Sequence, residues 1–271
     1  MSTMEDVNVA PDEVRHADYT VSDGIRIHVM EAGPVSATPV VLLHGYTSSN
    51  NNSWFNNGIA KELAKTHRVI GIDARGHGRS EKPHDPARYD GDRMPTDVIE
   101  VLDQMGVTRA HFHGYSMGGG LVASLMARKP GLFITGSFGG SGVRETDESL
   151  AKKAAALDPQ GTDPQQHEAR AVLGKRPDRD SAALEAVTKG RQAKPSTAPP
   201  LDLTTITFPV MAVNGEYDLP VSKTQRLARE LKDFQAVILP GRGHNTVTSP
   251  GYIPALYIDT LAGFIRSHDR A

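Results

Sequence analysis

Ser116 lies in the motif Gly-Tyr-Ser-Met-Gly, which fits the pattern Gly-x-Ser-x-Gly and occurs once in the chain. A short apolar run at residues 109–113 predicts a strand before it, and a helical pattern follows over residues 117–129. So sharp a turn forces its central residue into a strained backbone conformation and holds the hydroxyl at a helix N-terminus, where negative charge is favoured. The motif therefore predicts a nucleophilic serine, and the alternative is a glycine-rich packing turn whose serine caps the helix.

A serine nucleophile needs a base, and the base needs an acid that orients it. His244 ends the sequence Leu-Pro-Gly-Arg-Gly-His, and Asp218 ends Asn-Gly-Glu-Tyr-Asp, each just after an apolar run that predicts a buried strand. Open α/β sheets place their sites at the carboxyl ends of strands, so we expect Ser116, Asp218 and His244 to form a catalytic triad. Glu216 is the rival acid, because its side chain would project from the same strand end.

The other ten histidines of the chain are expected to be mostly bystanders. His111 and His113 lie on the strand before Ser116, which holds them beneath the serine. The sequence therefore favours a structural role for both.

An oxyanion formed at the serine would need N–H donors. The segment Leu-His-Gly-Tyr-Thr-Ser at residues 43–48 follows the first predicted parallel strand, and Gly45 lets the backbone turn so that the next N–H points into the site. We assign the oxyanion hole to the backbone N–H groups of Tyr46 and Met117.

Strands and helices alternate along the chain, as in a sheet with helices on both faces. The turn Asp23-Gly24 predicts an opening hairpin, and apolar runs without alternation then predict strands buried on both faces. These runs are residues 39–43, 68–72, 109–113, 132–138, 208–213 and 235–239, and the helical patterns are residues 54–67, 92–105, 117–129, 221–232 and 252–267. The predicted fold class is α/β, with a mostly parallel, doubly wound sheet of about eight strands.

Residues 144–200, which we call the cap, interrupt this alternation after strand 6. The cap has no aromatic residue, and its large aliphatic residues are Leu150, Leu157, Val172, Leu173, Leu184 and Val187. Three short helices with so little apolar surface cannot bury a core of their own, so we expect them to pack on the main domain; a poorly ordered insertion is the alternative. The chain then divides into a first core part at residues 1–143, the cap, and a second core part at residues 201–271.

Composition removes several classes of function. The chain has no cysteine, which excludes disulfides, cysteine-ligated zinc, iron–sulfur clusters and thiol catalysis. Its 30 basic and 32 acidic residues give a formal charge of −2 and no electrostatic reason to expect nucleic acid or an anionic membrane as partner. The acidic N-terminus lacks the apolar run of a signal peptide, and no stretch approaches the ~20 apolar residues of a membrane span. We therefore expect a soluble, cytoplasmic protein.

Five segments together resemble the α/β-hydrolase fold superfamily, in its short-capped, serine esterase-like branch. They are residues 43–48, 73–80, 114–118, 214–218 and 240–244. The resemblance implies the triad and oxyanion hole named above, no cofactor and no metal. It also implies a structural loop at residues 73–80, held by a pair between Asp73 and Arg75.

Departures from the family pattern reduce the number of reactions that the chain is expected to catalyse. Ser116 stands where epoxide hydrolases and haloalkane dehalogenases of this fold carry aspartate, which argues against both activities. Tyr115 stands where histidine is common and His113 where an aliphatic residue is common, and the sequence gives no account of either.

The resemblance implies a carboxylesterase that hydrolyses small soluble esters through an acyl-enzyme. The cap favours this function over that of a lipase, whose lid needs a broad apolar face. Alternatives on the same triad are a lactonase, a perhydrolase, or a C–C bond hydrolase whose dicarboxylate substrate would need cations. The cap offers Arg144, Lys152, Lys153 and Arg170. A ligand receptor on the same scaffold is the alternative from a different class.

Overall fold

Eight strands form a single sheet in the computed structural model, which describes residues 13–174, 176–198 and 200–269. The strands are β1 Arg15–Thr20, β2 Arg26–Ala32, β3 Pro39–Leu43, β4 Arg68–Ile72, β5 Ala110–Tyr115, β6 Phe133–Gly139, β7 Val210–Gly215 and β8 Phe234–Leu239. Their order is β1-β2-β4-β3-β5-β6-β7-β8; β2 pairs antiparallel with β1 and β4, and all other pairs are parallel. The predicted α/β class with a mostly parallel sheet is confirmed. The N-terminal segment predicted not to be a signal peptide falls within residues 1–13, of which 1–12 lie outside the described residues.

Helices cover both faces of this sheet. They are α1 Ile59–Leu63, α2 Arg93–Gln104, α3 Met117–Arg128, α4 Glu148–Leu157, α5 Gln166–Gly174, α6 Ser181–Ala193, α7 Pro220–Glu230 and α8 Ala255–Ser267. Side chains of α2, α3 and α7 are buried on one face, and those of α1 and α8 on the other. Within the described ranges, no helix is both long and apolar enough to cross a membrane.

The helix predicted over residues 54–67 is interrupted. A π-helical turn spans Asn51–Phe55, and α1 begins only at Ile59. Between them Gly58 has φ +88°, a left-handed conformation that glycine adopts without steric cost. The apolar spacing of this segment is compatible with one helix, but the left-handed conformation of Gly58 interrupts it.

The cap contains the three predicted helices, α4, α5 and α6, between β6 and β7. Helix α6 rests on the core through buried Ala186 and Val187, whereas Leu157 at the end of α4 is 69% exposed. The hydroxyl of Tyr46 donates to the carbonyl of Leu184 at 2.8 Å, so the cap also contacts the loop after β3.

The prediction that Asp73 pairs with Arg75 is wrong. Asp73 instead accepts two backbone N–H groups from neighbouring loops, at 2.8 and 2.9 Å. Arg75 is fully buried, and its guanidinium donates to Asp23 at 2.9 Å and to Asp97 at 2.6 Å. Both partners are distant in sequence, and their charges compensate the burial of the cation.

Candidate active site

Ser116 occupies the turn between β5 and α3. Its φ is +54° and its ψ is −109°, an uncommon conformation for a residue with a side chain. A Cβ on Gly114 would lie 2.2 Å from the carbonyl oxygen of Gly118, and a Cβ on Gly118 would lie 1.9 Å from that of Leu43. Glycine is therefore required on both sides of the serine. The Ser116 N–H donates to the carbonyl of Gly139 on β6 at 2.8 Å, which anchors the turn to the sheet.

His244 lies in the loop between β8 and α8, and its imidazole bridges the other two predicted site residues. Its Nε2 is 2.9 Å from the Ser116 Oγ, and its Nδ1 is 2.8 Å from the Asp218 Oδ2. A carboxylate can only accept, so Nδ1 carries the proton and Nε2 is free to accept the serine hydroxyl. The His244 side chain is 34% exposed, so solvent-borne molecules can reach it. The structure thus joins Ser116, His244 and Asp218 in one chain of hydrogen bonds.

Asp218, and not Glu216, lies against His244. The Glu216 Oε2 accepts the N–H of Gly241 at 2.7 Å, which turns this carboxylate toward the residues after β8. The second oxygen of Asp218 accepts from the ammonium group of Lys223 in α7. Burial lowers the pKa of Lys223, and the attraction of Asp218 opposes that shift. Sequence reasoning missed Lys223, which lies five residues after Asp218 in the first turn of α7.

The two residues assigned to the oxyanion hole, Tyr46 and Met117, lie beside the Ser116 turn. Strand β3 is the neighbour of β5, so the loop after β3 lies beside the Ser116 turn, and a Cβ on Gly45 would be 3.5 Å from the Ser116 Cβ. Met117 is the first residue of α3, and the first N–H groups of a helix have no acceptor within it. Tyr46 follows Gly45, and its hydroxyl bond to α6 fixes the loop that carries its N–H.

Tyr115 supports His244 from below. Its hydroxyl donates to the His244 carbonyl, and the two rings lie 5.3 Å apart between centroids. The Tyr115 side chain is buried, and burial raises the pKa of its phenol well above the ordinary value. The phenol therefore remains a hydrogen-bond donor at neutral pH. This contact explains the tyrosine that the sequence left without a role.

His113 sits in a second hydrogen-bonded chain, beneath the Ser116 turn. Its Nδ1 is 2.8 Å from the Ser137 Oγ and its Nε2 is 2.6 Å from the Tyr257 hydroxyl. The Ser137 hydroxyl donates to a backbone carbonyl, so Nδ1 donates to Ser137 and Nε2 accepts from Tyr257. Burial lowers the pKa of His113 to about 3, so the imidazole is neutral at pH 7.

His67, His111 and Asp269 are the described residues whose ligand atoms approach one another closely enough to hold a metal ion, within 4.8 Å. Both Nε2 atoms already hydrogen-bond the same Asp269 oxygen, at 2.8 and 3.2 Å. The group lies where β4 and β5 begin, at the edge of the sheet opposite to Ser116. A metal bound there would not contact the serine.

Comparison with known proteins identifies the scaffold. A family model described as the alpha/beta hydrolase fold matches residues 38–133. A thermophilic esterase from Thermogutta terrifontis, solved with malate bound, has a TM-score of 0.71 and 20% identity, over 94% of this chain and 99% of that one. The chain has the α/β-hydrolase fold. The resemblance drawn from the five sequence segments is confirmed at the level of the fold.

Curated relatives of this chain differ in the reactions they are named for. A protein provisionally named 2-succinyl-6-hydroxy-2,4-cyclohexadiene-1-carboxylate synthase, from Bacillus subtilis strain 168, is 38% identical over 113 residues, 42% of this chain and 40% of that protein. A 2-hydroxymuconate semialdehyde hydrolase from Pseudomonas sp. strain CF600 is 34% identical over 111 residues, 41% of this chain and 38% of that protein. The chain spans about two fifths of the length of both relatives, and their names do not share one reaction.

Proposed function

We propose that the protein is a serine hydrolase that cleaves small, soluble carboxylic esters through an acyl-enzyme intermediate. The observation that carries this proposal is the continuous line from the Ser116 Oγ to His244 at 2.9 Å and from His244 to Asp218 at 2.8 Å. The strained serine backbone supports it, because such conformations persist where the surrounding structure enforces them for function.

Acylation follows from the proton positions. The Ser116 Oγ attacks the ester carbonyl carbon while the His244 Nε2 accepts the hydroxyl proton, and Asp218 stabilises the imidazolium through Nδ1–H. The carbonyl oxygen becomes an oxyanion that the N–H groups of Tyr46 and Met117 hold. The oxyanion then collapses, the bond to the alcohol oxygen breaks, and the leaving alcohol takes the proton from Nε2.

Deacylation repeats these steps with water. The His244 Nε2 accepts a proton from a water molecule, whose oxygen attacks the acyl carbon and restores the oxyanion. Collapse breaks the bond to the Ser116 Oγ, which takes the proton back, and the carboxylic acid leaves. The partial exposure of His244 gives water access to this step.

The cap indicates the size of the acyl group. Its buried side chains are mostly small, among them Ala154, Ala169, Ala183 and Ala186, while Leu157 and Val172 face solvent. Each buried CH₂ contributes roughly 0.8 kcal/mol, and a cap with few apolar side chains offers a long acyl chain little of that gain. We therefore expect the highest kcat/KM on acyl groups of about C2 to C6, with a steady fall beyond.

The cap cations give little support to a dicarboxylate substrate. Arg144, Lys152, Lys153 and Arg170 are all exposed, and Lys152 pairs with Glu148 of its own helix. A C–C bond hydrolase of this fold would need such charges inside the pocket, so these residues favour the ester.

Turnover of a p-nitrophenyl ester series from acetate to palmitate tests the proposal, with lactones and a C–C cleavage substrate in parallel. Ser116→Ala is the control for contaminating esterases. Hydrolysis of short esters that Ser116→Ala abolishes would support the proposal. A peak at about C10 or longer would show that apolar residues beneath the cap govern selectivity. Exclusive turnover of lactones or C–C substrates, or ligand binding without turnover, would overturn the ester assignment.

A further inference from the structure

The loop that carries His244 is held from two sides. From the core, the Tyr217 N–H donates to the carbonyl of Arg242 at 2.9 Å, and the Tyr115 hydroxyl donates to that of His244. These contacts satisfy carbonyl groups of the loop. Within the loop, the Thr246 Oγ1 accepts the N–H of Gly243 at 2.9 Å, and the further acceptors for the N–H groups on either side of His244 come from outside the core.

The cap supplies those acceptors. The Asp163 Oδ2 accepts the N–H of Gly243 at 2.8 Å and also the hydroxyl of Thr246. The Gln166 Oε1 accepts the N–H of Asn245 at 3.0 Å. The two cap residues thus bind the residue before His244 and the residue after it.

Close packing accompanies these hydrogen bonds. A Cβ on Gly243 would lie 2.8 Å from the Gln166 Oε1 and 3.0 Å from the Asp163 Cβ, so a side chain at this position would crowd both cap residues. Asp163 is 5% exposed. Burial opposes its ionisation, but hydrogen bonds led by that of Thr246 outweigh it and hold the pKa of Asp163 below its usual value.

We propose that Asp163 and Gln166, which we call the clamp, are positioning residues that fix the His244 imidazole between Ser116 and Asp218. This inference rests on the proposed function, since the imidazole acts there as the base. It also gives the cap a second role besides covering the site, since the start of α5 then helps to hold the loop that carries the base.

The clamp predicts a loss in kcat with little change in KM. A misplacement of about 1 Å at a catalytic group can cost about 100-fold in rate, while the pocket that binds the ester stays unchanged. Asp163→Asn keeps one acceptor oxygen, so we expect a loss of about 10-fold, and Asp163→Ala, which removes both oxygens, should approach about 100-fold.

Asp147→Asn is the matched control. Asp147 is the N-cap residue of α4 and accepts the Leu150 N–H at 2.9 Å, a hydrogen bond that lies wholly within the cap. The four proteins, including wild type, are compared by ester kinetics, by the rate at which a fluorophosphonate labels Ser116, and by the NMR signal of the His244 Nδ1–H. Circular dichroism verifies that each variant is folded.

Graded loss of kcat and labelling rate in the two Asp163 variants, with a weakened Nδ1–H signal and no change in Asp147→Asn, would support the clamp. Unchanged kcat in folded Asp163→Asn and Asp163→Ala would overturn it while leaving the ester hydrolase intact. If wild type hydrolyses no ester and resists labelling, the proposed function fails. The NMR arm then still decides the clamp, because an unaltered Nδ1–H signal in Asp163→Ala would refute positioning of His244.

Discussion

Two chains of the form hydroxyl–histidine–partner lie close together in this molecule, and they behave differently. In the first, His244 accepts from Ser116 and donates to the carboxylate of Asp218. In the second, His113 donates to Ser137 and accepts from Tyr257. The hydrogen-bond lengths are similar, from 2.6 to 2.9 Å, so length alone does not distinguish a reactive chain from a structural one.

Charge, access and backbone strain make the difference. The His113 chain has no carboxylate to stabilise an imidazolium, and its complete burial lowers the pKa of His113 to about 3. His244 has the Asp218 carboxylate and is partly exposed. Ser137 lies within strand β6, whereas Ser116 is forced outward by a positive φ. Under the proposed function, the acid and the opening beside His244 are what separate the reactive pair from the buried one.

The largest expected effect distinguishes the two serines. Ser116→Ala should abolish ester hydrolysis, since loss of a triad serine can cost about a million-fold in kcat. Ser137→Ala should keep kcat near that of wild type. It should instead lower the free energy of unfolding by about 1–3 kcal/mol, because it leaves a buried polar group unpaired. Ester kinetics and urea denaturation measure both. Retention of a tenth of wild-type activity by Ser116→Ala would refute its role as nucleophile.

The next effect tests the acid. Asp218→Asn should lower kcat by about 10⁴-fold, because an amide favours the wrong imidazole tautomer and cannot stabilise the imidazolium. Glu216→Gln is the matched control, and it should leave kcat nearly unchanged because Glu216 faces Gly241. The same ester assay compares the two. Equal losses in both variants would contradict the assignment of Asp218.

The pH dependence of stability tests the buried chain. Between pH 3 and 6.5 the folded His113 binds fewer protons than it does when unfolded, so stability should fall as the pH drops through this window. One such histidine contributes a slope of at most about 1.4 kcal/mol per pH unit. His113→Asn should flatten the stability profile by up to this amount, measured by urea denaturation at several pH values. His167→Asn, at an exposed position on α5, is the control variant.

The smallest effect concerns the tyrosines of the two chains. Tyr115→Phe removes one hydrogen bond to the His244 carbonyl, and we expect a loss of about 2- to 10-fold in kcat, equivalent to about 0.5–1.5 kcal/mol. Tyr257→Phe leaves the His113 Nε2 without a donor and should cost stability without a matching loss of kcat. Ester kinetics and urea denaturation of both variants test whether Tyr115 affects kcat and whether Tyr257 affects stability. The reverse pattern would mean that the buried chain, rather than Tyr115, supports the reaction.

The features that could be predicted from the sequence are those that short-range patterns encode. Gly-x-Ser-x-Gly between a strand and a helix is a local signal, and the apolar runs before Asp218 and His244 indicate strand ends without any knowledge of contacts. Because parallel strands end at one edge of the sheet, these local signals were enough to bring the three residues together.

Contacts between segments that are distant along the chain were not predicted from the sequence. Arg75 was paired with its near neighbour Asp73, but its partners Asp23 and Asp97 are 52 and 22 residues away. Asp163 lies 80 residues before Gly243 and carries no motif of its own. Such pairs depend on how the cap and the loops pack in three dimensions, and no local periodicity reports that packing.

The position of the cap between β6 and β7 has a consequence for how this protein can be diversified. These strands are neighbours in the sheet, so the segment that joins them can be exchanged for one of another length without disturbing the register of the remaining strands. Exchange of this segment is therefore a way to vary the surface that covers the site while the sheet is kept. A transplanted segment must, however, bring its own acceptors for the N–H groups of Gly243 and Asn245. Libraries that vary the cap while keeping Asp163 and Gln166 should yield more active members than libraries that vary every cap position.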